Sequence, residues 1–178
     1  MKYKLLTLLT LALLTISMPA LAAASPGEHH RSDKHPVIDW SSYPADIQAL
    51  KSELDQIRTE QKSLFHQMRS QSEVIKEARK TLTSDQRNTL KKPAKPLIEQ
   101  MKTSRDAIHD MREKKHESWN SFHEHATKQQ WSPAKKDLQT IIKQKRQILE
   151  NQHTIVKLQK QLITLINPSH ESHIHTEE

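Results

Sequence analysis

The chain has 178 residues, one glycine, no cysteine, 4% aromatic residues and a formal charge of +7. That length suits one domain, and the composition excludes disulfides, a lipoprotein anchor and a sheet protein built on glycine turns and aromatic strands. Lys, Gln, Glu, Leu and Ala are the good helix formers and they dominate here, so the expected fold is all-α and elongated, without one large core.

Residues 1–22 read as a signal peptide. "MKYK" is a basic start, "LLTLLTLALLTI" is an apolar run too short to span a bilayer, and Ala20-Leu21-Ala22 is a small-x-small cleavage site. Cleavage removes Lys2 and Lys4 and lowers the charge to +5, with no stable membrane insertion afterwards. The expected location is the periplasm, or the cell surface or medium if the envelope has one membrane. The remaining basic residues are scattered among acids. That pattern argues against nucleic acid and for acidic partners.

Residues 23–43 hold the only glycine, two prolines and His29, His30 and His35, and read as a flexible tail. A helical domain is expected over 44–166, with Pro44 placed where a helix can begin. From Ile47 to Leu82, seam residues recur at spacings of three and four over five heptads, interrupted by Gln61 and Gln71. A second periodic segment is expected from Pro93 or Pro96, along Leu97, Met101, Ile108, Met111, Trp119, Phe122 and Ala126. Ser104 and Lys115 fill its weaker seam positions. A third starts at "WSPAKKDL", where Ser132 reads as N-cap and Pro133 as the first helical residue. It carries two adjacent stripes: Ile141, Ile148, Ile155 and Leu162 beside Ile142, Leu149, Val156 and Ile163. A double stripe suits a central helix with two neighbours. Asn167-Pro168 ends it, and residues 167–178 form a His-rich C-terminal tail. The expected architecture is three to four long antiparallel helices, coiled-coil-like, in an elongated bundle or curved helical hairpin, assembled as a homodimer or higher oligomer.

"TLTSDQRNTLKKPAKPL" adds local detail. Thr83 followed by Gln86 makes a capping box, each side chain serving a backbone N–H of the other. Asp85 suits the positive end of the helix dipole. Pro93 and Pro96 are expected to kink or restart this helix.

Leu82-Thr83-Ser84-Asp85-Gln86 also resembles the Leu-Thr-x-x-Gln signature of the Spy/CpxP family, small helical proteins of the bacterial periplasm. The likeness spans roughly residues 82–170. Members usually carry the signature twice. Here the second copy falls at Ile166-Asn167-Pro168-Ser169-His170, which keeps a capping Asn167 and Pro168 but loses Leu, Thr and Gln. The five heptads before Thr83 and the prolines at 93 and 96 also depart from the family pattern. The resemblance implies an ATP-independent chaperone or stress-response accessory protein that binds unfolded or acidic proteins. Met68, Met101 and Met111 are then the adaptable apolar contacts, and Arg105 and Arg112 the charged ones. A structural coiled-coil protein of the cell surface is the alternative without client binding.

Twelve histidines support a further alternative, metal binding or sensing. His109, His116 and His123 repeat every seven residues, about 10.5 Å apart, too far to share one ion. Glu113 lies at helical spacing from His109 and His116, and His123 and His125 flank Glu124. With the tail residues His29, His30, His35, His170, His173 and His175 they offer nitrogen and oxygen ligands suited to Zn²⁺, Ni²⁺ or Cu²⁺. The fold requires no cofactor. Nor does any nucleophile or acid–base constellation emerge, so the chain is not expected to be an enzyme.

Overall fold

The computed structural model describes residues 39–167, and this stretch is three long helices with no strand among the described residues. Residues 1–38, which include the segment read as a signal peptide, and residues 168–178 lie outside it. Helix α1 spans Ala45–Thr81, α2 spans Ser84–Thr127 and α3 spans Trp131–Ile166. At 1.5 Å per residue they run about 54–66 Å. None is long and apolar enough to cross a membrane.

The side-chain bonds give the topology. Ser118 meets Gln144 and His125 meets Asp137, so α2 and α3 are antiparallel. Glu53 meets Arg146, Glu60 meets His153 and Ser72 meets Gln159, so α1 and α3 run parallel. This is an up-down-up bundle. Helix α3 packs along both of the others, whereas the backbones of α1 and α2 barely approach each other. The double stripe predicted just that role for α3.

Short links close the bundle. Leu82 and Thr83 alone join α1 to α2. At the other end, Gln129 takes the left-handed conformation, φ 55°. Gln130 N–H then donates to His125 O (2.9 Å) and Gln129 N–H to Ala126 O (3.0 Å). These are the paired bonds that close a helix C-terminus, a place where glycine is usual. The chain's single glycine lies elsewhere, and glutamine occupies the position.

Three expectations about boundaries are corrected. Helix α2 begins at Ser84 and continues through Pro93 and Pro96 without a restart. Both prolines are exposed, as are Thr89 and Lys92, whose carbonyls lose their donors; water can serve them. Helix α3 begins at Trp131 with Gln130 as N-cap, so Ser132 is inside the first turn and makes no cap. The ordered body also starts before Pro44. Asp39 caps a short 3₁₀ turn, Trp40–Ser42, and Trp40 and Tyr43 stack on Phe122 at centroid distances of 5.8 and 6.1 Å. Trp131 meets Tyr43 edge-on. These aromatics close one end of the core.

The core is apolar in three blocks: Ile47, Leu54, Phe122, Leu138 and Ile141 at the aromatic end, Met68, Ile108, Ile148 and Ile155 in the middle, and Ile75, Met101, Leu158 and Leu162 at the far end. Polar side chains are buried among the apolar ones. Gln152 and Gln159 are 5% and 0% exposed, and Gln159 Nε2 donates to Met68 O (3.2 Å) and Ser72 Oγ (2.8 Å). They extend a third row on α3, Leu138-Lys145-Gln152-Gln159, beside the two expected stripes. Ile141, Ile148, Ile155 and Leu162 are all buried, while Leu149, Val156 and Ile163 are half-buried.

Candidate functional site

The turn between α1 and α2 is built by the capping box. Gln86 N–H donates to Thr83 Oγ1 (3.2 Å), and Thr83 N–H donates to Gln86 Oε1 (2.8 Å). Arg87 Nη2 reaches back to Arg79 O (3.3 Å), which ties the new helix to the old. Leu82 leaves the helix extended and half-buried. The last turns of α1 and the end of α3 meet here.

Between them lies an open cleft of about 730 Å³, lined by Glu73, Val74, Glu77, Ala78, Lys80, Thr81, Leu82, Gln86, Ile166 and Asn167. Val74, Ala78, Leu82 and Ile166 supply apolar surface. Val74 is 38% exposed, the most exposed large aliphatic side chain among the described residues. Both acids are matched by lysines on the same helix: Lys80 donates to Glu77 (2.7 and 3.0 Å), and Lys76 lies 3.7 Å from Glu73. The Lys80 hydrogen bond and charge hold the Glu77 carboxyl below its ordinary pKa. The cleft thus combines an apolar floor with a balanced polar rim.

The 82–86 turn and the end of α3, far apart in sequence, share this cleft through Leu82, Gln86, Ile166 and Asn167. Asn167 closes α3, its N–H donating to Ile163 O (2.8 Å); Pro168 lies outside the described residues. Sequence reasoning singles out Leu82, Thr83, Gln86 and Asn167, and reads Ala78 as a seam position, but does not mark Val74. Val74 falls between seam positions, and its sequence neighbourhood carried no signal beyond being apolar off the seam.

The expected client contacts sit elsewhere. Met68 and Met101 are 4% and 2% exposed, and Met111 is half-buried. They are core packing and do not form a surface in the folded bundle. Arg105 is half-buried, with Nε and Nη2 lacking any acceptor. Burial lowers its pKa, and Asp106 partly opposes that shift. Arg112 is exposed along much of its side chain, yet desolvation lowers its pKa too.

Arg112 belongs to a second feature, a basic layer at mid-bundle. Lys115 on α2 and Lys145 on α3 occupy seam positions opposite Gln61 on α1. Lys145 Nζ donates to Gln61 Oε1 (3.1 Å), and Gln61 Nε2 donates back to Lys145 O (3.3 Å). Desolvation, then the charges of Lys115 and Arg58, push Lys145 down to about 8, with Asp55 opposing. Lys115 is lowered for the same reasons, burial first and then Arg112 and Arg58.

The helical histidines diverge. His109 is exposed, 3.7 Å from Asp110, and Glu113 is also exposed. His116 approaches Asn120 (3.4 Å). His123 lies 5.8 Å from both Trp119 and Phe122, ring to ring. His125 Nδ1 is 2.6 Å from Asp137 Oδ2 and so braces the α2–α3 turn, while Glu124 pairs with Lys128. Among the described residues no three His, Asp or Glu side chains converge on one point. His29, His30, His35, His170, His173 and His175 lie outside the described residues.

Compared with protein-family models, with curated proteins and with solved structures, the chain gave no match.

Proposed function

We propose that the chain is an exported, non-enzymatic chaperone that holds short apolar segments of unfolded proteins in the cleft at the α1–α2 turn. The observation that carries this reading is the shared cleft. Two segments of signature character, 82–86 and 166–167, line one open depression with exposed Val74 in its floor. The resemblance of Leu82-Thr83-x-x-Gln86 to the Spy/CpxP signature and the expected leader support it.

The chemistry is simple. A few apolar client residues cover Val74, Ala78, Leu82 and Ile166 and remove their surface from water. The area is small, so binding is weak and reversible, and release needs no nucleotide. The net positive charge draws acidic segments toward the bundle. The capping box plays a supporting part, fixing the turn that brings the three helix ends together.

Purified protein is expected to suppress aggregation of a chemically denatured client at near-stoichiometric ratio without nucleotide. High salt should weaken the effect without abolishing it, because screening removes the charge term and leaves the apolar one. Val74→Asp, at an exposed helical position, should keep the far-UV helical signal and lose most of the suppression. Unchanged aggregation of several clients with folded wild type would refute the assignment.

A further inference from the structure

The middle of the bundle carries a surplus of positive charge that Asp55 alone opposes at Lys145. Gln61 bonded to Lys145 and Ser118 bonded to Gln144 align the three helices at this level, and Arg58 on α1, Arg112 and Lys115 on α2, and Lys145 on α3 lie there, near enough for their charges to repel. None of the four makes an ion pair among the described residues, although lysines elsewhere on the bundle do. Asp55 is the one acid that acts on Lys145, and Lys51 already holds it. The other close polar groups are neutral: Gln61, and Ser118 bonded to Gln144.

A single lysine at a seam position can set helix register. Four cations from three helices go further than register requires, because the partly desolvated charges of Arg112, Lys115 and Lys145 lower stability. The position of the layer also matters. Arg58 and Arg112 are exposed, Lys115 and Lys145 lie half-buried, and the α1–α2 seam beside them is the loosest in the bundle. A solute can therefore reach the lysines from that side.

We infer that this layer binds a compact, multiply charged oxyanion of the phosphate class, with Arg58 and Arg112 at the mouth and Lys115 and Lys145 beneath. Guanidinium groups match pairs of oxygens on such an ion, and lysines act as point charges toward the rest. A tetrahedral dianion offers enough oxygens for donors that arrive from three helices. One carboxylate offers two. This site is separate from the cleft, about half a bundle length away along α1, and stands whether or not the cleft binds clients.

The test follows the melting midpoint of the purified full chain at pH 7 and constant ionic strength. Inorganic phosphate and pyrophosphate are titrated in turn against acetate and chloride. Phosphate or pyrophosphate should raise the midpoint saturably, by about 5 °C near saturation, while acetate and chloride give only a small, unsaturating rise. Lys115→Met and Lys145→Met should each melt higher than wild type without anion and lose most of the phosphate response. Arg69→Gln, an exposed site nearer the far end of α1, should keep it. A phosphate effect no larger than that of chloride would overturn the inference. So would a response that survives both lysine substitutions, or binding of a polyglutamate peptide in the absence of any phosphate effect. A change of oligomeric state in the lysine variants with no anion response in wild type would assign the layer to register instead.

Discussion

Ile155→Ala should destabilise the protein by about 2–5 kcal/mol, the range for deleting a fully buried aliphatic side chain. Ile155 is buried against Met68, Ile108 and Ile148 in the middle block. Its neighbours stand on continuous helices, so the backbone has little freedom to collapse into the space. The better helix propensity of alanine offsets only about 0.5 kcal/mol of the loss. Val156→Ala, one residue along on the half-buried stripe, should cost less than about 1 kcal/mol because much of its surface already meets water. Urea unfolding of both variants provides the comparison. A loss below about 0.5 kcal/mol for Ile155→Ala would show that the middle block is not core.

Lys145→Met should act in the opposite direction and stabilise the protein by about 1–2 kcal/mol at pH 7. Lys145 titrates near 8 in the folded protein, against about 10.4 for a free lysine. The folded state therefore releases this proton first as pH rises. Between about pH 8 and 10.4 the unfolded chain binds more protons, so stability increases with pH across that window. The full shift corresponds to about 3 kcal/mol, and the smaller figure allows for the part of the side chain that stays in water. Lys115 is shifted in the same direction. Wild type should gain stability from pH 7.5 to 9.5, and Lys145→Met should gain distinctly less. The range stops there because burial raises the Tyr43 phenol. The unfolded chain then ionises first near pH 10, which favours unfolding. Wild-type stability that falls steadily above pH 7.5 would contradict this placement of Lys145.

Some of this structure was legible in the residues. The seam Ile47-Leu54-Ile57-Leu64-Met68-Ile75 is buried as its heptad spacing required, and the wide face of α3 announced contact with two neighbours. The Thr83–Gln86 box was visible because capping depends on four adjacent residues and little else. What escaped depends on tertiary context. Proline weakens a helix locally, but at Pro93 and Pro96 the carbonyls it frees lie at exposed positions. Flanking contacts such as Ala94 and Met101 hold the helix together. Periodicity counts apolar residues, so the row holding Lys145, Gln152 and Gln159 was passed over despite sharing the seven-residue spacing. The methionines are adaptable contacts only in the chaperone reading that the resemblance implies; their seam positions place them inside. Trp40 and Tyr43 sit in a polar segment, and Phe122 and Trp131, distant in sequence, give them a place to pack.

The cleft as a whole was not legible in the sequence, because it joins the end of α1, from Val74 to Leu82, to Ile166 at the end of α3. Its role is tested most directly by attaching a photo-crosslinker at position 74 and, as a control, at exposed Thr140 on α3. Illumination in the presence of a denatured client should give a strong crosslinked product from position 74 and little from 140, with an excess of a second unfolded protein competing it away. Equal labelling at the two positions, or none at 74 while the protein still suppresses aggregation, would contradict the assignment of client binding to this cleft.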